Sequence, residues 1–446
     1  MTVVGAGVAG CHAALTLLER GHEVDLWDVG RADTAPALAG TTLHGLKDAL
    51  PDPVDHFLGD DLRALVPPAV PELLRYPPAR RFLAAGDDPL LGFEADGFHP
   101  YASFATGGLA NGWGANALAY DDDDLAGWPV SAGEMDAAYR TAFARVPVAG
   151  PVDDDLAPHL RGVHPSQPPL ALTTADRILL DRYARKRDAL RERGVVLGHA
   201  RMAVVTDPAR PQACDRCDRC LWGCPRGAIY NPATSTLAAC AAHAGFRHLR
   251  GRFVISLPSR DGRVTAVRYL DTATDEIREE PCDVVFLAAG ALQTGAVFLR
   301  TLKAAHPHLP AESDALMDTA VVKVPYVSLR AVGRAPDERA FQFNRLLMGL
   351  VGSGGEGSRY LHGEVLHLTS LVYHPLIERM PFDARTSARL FFALRSALGV
   401  VTLFMPDRPT PGNRQVLVEG GARWDAVRLS YRETPAKEAA VQRAVA

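Results

Sequence analysis

TVVGAGVAGCHAALTLLERGHEVDLWD, residues 2–28, reads as a short apolar strand, a glycine turn, an amphipathic helix closed by Gly21, and a second strand ending at Asp28. Gly5-Ala6-Gly7-Val8-Ala9-Gly10 fits G-x-G-x-x-G, a weak signal alone, but here it follows a strand and opens a helix. Gly5 permits the tight turn, Gly7 lets backbone approach a pyrophosphate, and Gly10 lets helix pack on strand. The helix N-terminus would stabilise the phosphate charge, and Asp28 would accept from a ribose hydroxyl. The motif predicts a dinucleotide, with NAD and FAD both open at this point.

Working outward, the 446 residues are 47% hydrophobic and 22% charged, the composition of a globular chain too long for one simple core. Lys and Arg number 48 against 52 Asp and Glu, a net charge of -4, and no basic stripe is present to follow a nucleic-acid backbone. VVFLAAGALQTGAVFL is broken by Gln293 and Thr294, and LFFALRSALGVVTLFM by Arg395, so neither offers about 20 clean apolar residues for a membrane span. No charged leader, apolar segment and cleavage site precede the first strand, so cytoplasmic is the default expectation.

After the opening unit, residues 46–94 are rich in Pro, Asp and Arg with little periodicity and read as an excursion. ATGGLANGWGANALAY is glycine-dense, the acidic run Asp121 to Asp124 reads as a solvated turn, and Ser131 with Glu134 reads as the capping box of a helix. TADRILLDRYARKRDALRERG predicts another helix, STLAACAAHAG a further one, and RFVISLPS and RVTAVRYLDT two strands split by a turn at RDG. DVVFLAAG reads as a buried strand, and a late strand returning to the first sheet is what a flavoprotein needs. The predicted fold class is α/β. A Rossmann-like FAD-binding domain is assembled from 1–45, 95–135 and 205–302, with 46–94 and 136–204 as excursions and helices. A discontinuous α+β substrate domain is expected over 303–446.

Three segments together resemble the glucose-methanol-choline (GMC) oxidoreductases. They are GAGVAG, the loop Gly107-Gly108-Leu109-Ala110-Asn111-Gly112-Trp113-Gly114, and AAGALQTGAVFLRT, whose Ala289 and Gly290 stand at a strand-to-helix turn. GWP at Gly127 to Pro129 has the family's downstream position. The resemblance implies FAD as cofactor, with Gly107, Gly108, Asn111, Gly112, Trp113 and Gly114 against the flavin or its phosphates. It also implies Val254 at the adenine through its backbone. Leu109 and Ala110 depart from the family's small hydroxylated residues. The family's catalytic histidine lies in a carboxy-terminal segment with no counterpart before Ala446, so no catalytic residue is expected in this chain and the chain is expected to stop short.

CDRCDRCLWGCP holds Cys214, Cys217, Cys220 and Cys224. The spacing matches a ferredoxin run, but no second run follows, which argues against a ferredoxin domain. It is too compressed for two zinc knuckles. Without Cys217 it is similar to the cysteine pattern of the family's sugar dehydrogenase branch. That likeness implies an iron-sulfur cluster passing electrons to a cytochrome or quinone, and export with a partner subunit. The other reading is a plain cysteine-bearing loop, and both stand at this stage.

His362, His367 and His374 are expected to be packed or surface residues, and Arg345 a surface or interdomain charge. The resemblance implies oxidation of the CH-OH group of a small alcohol or sugar by hydride transfer to flavin, with an acceptor other than oxygen. The alternative is a catalytically silent flavin-binding or electron-relay protein.

Overall fold

The computed structural model describes residues 1–32, 41–62, 76–86, 88–96, 98–160, 162–314, 316–352, 360–368, 377, 379–421 and 423–445. Strand β1 (Thr2–Val4) runs into helix α1 (Val8–Glu19) and then strand β2 (Val24–Trp27). All three residues of β1 are buried because it lies inside a parallel sheet ordered Val285–Leu287, β1, β2, Phe246–Leu249. Helix α1 turns Cys11, Ala14, Leu15, Leu17 and Leu18 inward, where they meet Val3, Val24, Leu26, Leu237 and Cys240. That inward set follows the helical period and supplies the apolar burial that holds the unit together. The chain leaves the helix through Gly21 at φ +83°, left-handed backbone that suits glycine.

Strand Val285–Leu287 pairs with β1 in register Thr2↔Val285, Val3↔Phe286 and Val4↔Leu287, as a late return to the first sheet requires. It is not buried throughout, however. Among the described residues it is an edge strand, and Phe286 is exposed because nothing covers its outer face. A three-stranded antiparallel sheet, Glu276–Pro281, Ala266–Asp271 and Arg252–Ser256, adjoins the parallel one through Trp27, Val254, Val267 and Tyr269.

The third layer is a five-stranded antiparallel sheet ordered Ala320–Val327, Leu398–Met405, Tyr360–His367, Leu346–Val351, Val195–His199. One of its faces, with Leu350, Leu361, Leu403 and Met405, packs on the last helix, Pro435–Val445, through Ala440. Its other face meets Ala115, Ala117 and Trp113 through Leu347 and Tyr360. Strands Arg414–Val418 and Ala426–Ser430 join Glu312–Ser313 and the early strand Phe93–Asp96 in a separate sheet, packed on helix Ala291–Ala305.

Local signals in the sequence have physical counterparts. Ser131 Oγ accepts from Glu134 N and Glu134 Oε2 accepts from Ser131 N, so both halves of the capping box form on helix Ala132–Arg145. The long basic helix is divided into Thr174–Arg185 and Arg187–Arg191. Asp121 and Asp124 each accept the other's backbone N–H, closing the acidic run as a turn. Arg345 corrects the expectation of a surface charge. It is 1% exposed and donates to Asp176, itself fully buried, and to the Phe341 and Phe343 carbonyls. A buried guanidinium persists because its donors are all directed at oxygen.

Candidate cofactor site

A cavity of about 600 Å3 opens at the carboxyl ends of β1 and β2, where open parallel sheets place their ligands. Gly5, Gly7, Asp28, Gly107, Gly108, Val254, Ala289 and Gly290 line it. Gly5 lies at φ +102°, and a Cβ there would stand 2.3 Å from the Ala288 carbonyl oxygen. Gly10 does not line the cavity; a Cβ on it would fall 1.8 Å from the Gly5 carbonyl oxygen, so its role is close packing of helix on turn. At Gly7 nothing lies within 4 Å of the Cβ position, which leaves open space for a ligand over the start of α1. The first turn of α1 has no acidic residue and no side-chain cap, so its N–H groups remain for a phosphate.

Asp28 closes one end. Its Oδ2 accepts from Thr106 Oγ1 at 2.8 Å, and its Oδ1 lies 3.0 Å from His248 Nε2. A carboxylate has about four lone-pair sites, so these two contacts orient it and leave capacity for a ribose hydroxyl. Val254 is buried, and its carbonyl accepts from Gln293 Nε2 at 3.3 Å. Phe253, beside it in the lining, stacks on Trp424 with centroids 5.1 Å apart, a flat apolar wall suited to a ring. The glycine cradle, helix N-terminus, oriented carboxylate and aromatic wall fit a dinucleotide of FAD size.

The Gly107–Gly114 loop divides. Gly107 and Gly108 face the cavity, both at positive φ, and Gly107 N donates to the Ala6 carbonyl at 2.8 Å, tying loop to motif. Asn111 braces the loop from inside. Its Nδ2 donates to the Thr106 and Gly108 carbonyls, and its Oδ1 accepts from Asn231. Gly112 lies against the Tyr76 ring, and Trp113 Nε1 donates to the Tyr230 carbonyl at 3.0 Å. Asn111 and Trp113 line a second cavity of about 330 Å3, together with Cys220 and Cys224.

The cysteine run lies beside this second cavity. All four thiols are free. Cys214, Cys220 and Cys224 pack against the largest core cluster, while Cys217 is buried where the chain bridges to Ala340. Burial pushes the Cys214 thiol up to about 11 and the Cys217 thiol up to about 12. Cys220 Sγ accepts from Gln342 N, and Cys224 Sγ from Ala228 N. Among the described residues no group of three or more His, Cys, Asp and Glu side chains is placed to hold a metal ion. The cluster reading of Cys214, Cys217, Cys220 and Cys224 therefore finds no support here.

The chain superposes on pyridoxine 4-oxidase from Mesorbium loti with a TM-score of 0.55 at 16% identity, covering 100% of this chain and 78% of that one. It superposes on an FAD-dependent oxidoreductase from Chaetomium thermophilum with a TM-score of 0.54 at 14% identity, covering 99% and 80%. Its fold is the one found in these FAD-dependent oxidoreductases. No protein-family model matches the chain, nor does any curated protein. Among the described residues no helix is long and apolar enough to cross a membrane.

Past the cavity, the same loop reaches residues the sequence did not single out. Asn116 Nδ2 donates to Glu364 Oε1 at 2.6 Å and lies 3.0 Å from Asn344 Oδ1, and Asn344 Nδ2 returns a bond to Asn116 Oδ1 at 2.9 Å. Burial pushes the Glu364 carboxyl up to about 7. Glu364 stands in YLHGEVLH, a strand of alternating burial, where a polar residue at every second place reads as a solvent face. The approach of Asn116 covers that face at Glu364. His362, on the same face, stacks on Phe404 at 4.9 Å, and burial pushes it down to about 4. His367 lies between Asp176 (2.8 Å) and the Tyr326 hydroxyl (3.1 Å) as part of a buried polar chain. His374 lies outside the described residues.

Proposed function

We propose that this chain is an FAD-dependent oxidoreductase of the GMC type that oxidises a CH-OH group of a small alcohol or sugar. The acceptor is one other than oxygen, a cytochrome or a quinone. The observation that carries this reading is the cavity itself: Gly5, Gly7, Gly107, Gly108 and Gly290 form a cradle without side chains that ends on Asp28, oriented by Thr106 and His248. In this reading Asp28 takes a ribose hydroxyl, the start of α1 takes the pyrophosphate, and the Phe253–Val254 wall takes the adenine. FAD, when bound, supplies the two-electron acceptor for hydride. Of the two solved structures named above one is titled an FAD-dependent oxidoreductase and the other an oxidase, so oxygen is the competing acceptor that a test must separate.

The test is a visible spectrum of the chain purified without air, with iron assayed on the same sample, followed by addition of alcohols and sugars and then of oxygen or an artificial acceptor. Flavin bands that bleach with an alcohol and return with the artificial acceptor faster than with oxygen are expected, without stoichiometric iron. A chain that takes up no flavin refutes the reading. Flavin that bleaches with dithionite and with no alcohol or sugar points instead to the catalytically silent relay protein.

A further inference from the structure

The second cavity, of about 330 Å3, has no part in the proposed function, and its lining carries one sign of charge. Arg31, Arg80, Arg219 and Arg250 line it, and no Asp, Glu or Lys stands among the described lining residues. We propose that this cavity binds an anionic small molecule, a carboxylate or phosphate with an apolar or ring-bearing body. The inference does not depend on the flavin reading, since none of the four arginines is assigned to FAD there.

Two of the arginines are built into the wall. Arg80 is 7% exposed and Arg219 5%. Arg80 Nη2 donates to the Asn111 carbonyl at 2.5 Å, and Arg219 Nη1 to the Thr41 carbonyl at 3.4 Å. A carbonyl satisfies a donor without neutralising a cation, and each guanidinium has five N–H donors in a fork that matches a carboxylate or phosphate. Glycines make room for two of the four. A Cβ at Gly223, which lies at φ +97°, would stand 2.5 Å from Arg80 Nη1, and one at Gly30, at φ +78°, would stand 2.8 Å from Arg250 Cγ. Burial lowers the Arg219 pKa, and an anion set beside the guanidinium would offset that cost. Arg31 is the partly neutralised member, paired with Asp88 at 2.6 Å.

The rest of the wall suits the body of such a ligand. Trp222 lines the cavity, stacks on His56 with centroids 5.2 Å apart and meets Phe57 edge-on, so the indole is fixed. His56 Nε2 is buried with no partner among the described residues, and His56 belongs to the same wall. Burial pushes the Cys220 thiol up, so this lining sulfur is neutral and does not repel an anion. The volume is that of a small-molecule pocket, for which about 300–1,000 Å3 is usual. Ala110 lines both cavities, which places the ligand beside the cofactor and not in its stead.

The test is calorimetric titration of the chain, as purified and with saturating FAD, using benzoate, its uncharged isostere benzamide, and inorganic phosphate. At least one anion is expected to bind in both samples, with benzamide weaker than benzoate by about tenfold or more. Tighter benzoate assigns a carboxylate as the natural ligand, and tighter phosphate assigns a phosphate ester. Arg219→Met should weaken the tighter anion by about 10- to 100-fold, the worth of hydrogen bonds to a charged group, and leave benzamide unchanged. Arg250→Ala, at an exposed position, should act in the same direction and keeps the test available if the buried substitution does not fold. Failure of both anions to bind, equal affinity for benzoate and benzamide, or an anion affinity unchanged in every variant that folds overturns the proposal. Loss of anion binding on loading with FAD also overturns it, because the cavity would then belong to the cofactor. A chain that takes up no FAD yet binds the anion refutes the proposed function and leaves this site standing.

Discussion

Replacing Glu364 by Gln should change how the stability of the chain depends on pH. The carboxyl is pushed up from 4.5 to about 7 by burial, so the folded chain holds a proton that the unfolded chain releases. Below pH 4.5 both states are protonated and nothing is lost. Between 4.5 and 7 the folded state binds more proton than the unfolded one, and stability falls by about 1.4 kcal/mol per pH unit. The sum over the window is about 3 kcal/mol, which the permanently neutral glutamine does not lose. With an unfolding entropy near 2.1 cal/mol/K per residue, 446 residues give about 0.9 kcal/mol per degree, so the difference amounts to about 3 °C. Melting curves of both proteins at pH 4.5 and pH 8 would show the variant gaining about that much relative to wild type at the higher pH. Asp218, pushed up to about 7 by burial, titrates in the same range but is common to both proteins and cancels. Parallel pH profiles for the two would refute the reasoning, because they would mean the carboxyl is not desolvated.

Gly7→Ala should fold, since nothing lies within 4 Å of its Cβ position, yet flavin affinity should fall by about tenfold or more, read by fluorescence of released FAD. Gly10→Ala should instead lower the yield of folded protein, because its Cβ would meet the Gly5 carbonyl oxygen at 1.8 Å. Asp176→Ala leaves the Arg345 guanidinium buried without its carboxylate and should cost about 3–5 kcal/mol in urea unfolding. Cys214→Ser and Cys224→Ser should leave the visible spectrum of the purified chain unchanged, the opposite of what an iron-sulfur cluster predicts.

The opening unit was legible because its information is local. The glycine turn, the inward residues of α1 and Asp28 lie within residues 2–28, and each is constrained by its immediate neighbours. The capping box at Ser131 was legible for the same reason, since both partners lie within one helical turn. The Gly107–Gly114 loop was legible as a loop but not as a division of labour. Whether Asn111 faces a ligand or braces its own turn depends on Asn231, 120 residues away. The cysteine run was legible as an unusual spacing, yet spacing along a chain does not say whether sulfurs converge. Arg345 was misread because an arginine among apolar residues carries no sign of its distant partner Asp176.

The sequence by itself determined the parallel βαβ unit with its glycine turn and the carboxylate at its end, set by period and turn chemistry over short distances. Only the tertiary structure decided that Val195–His199 joins the five-stranded sheet, that Phe93–Asp96 pairs with Ala426–Ser430, and that Glu364 faces Asn116. Those contacts join segments up to about 330 residues apart, as in Phe93↔Val427. They follow from which apolar faces bury together, and the proton affinity of Glu364 comes from the loss of water that this packing imposes.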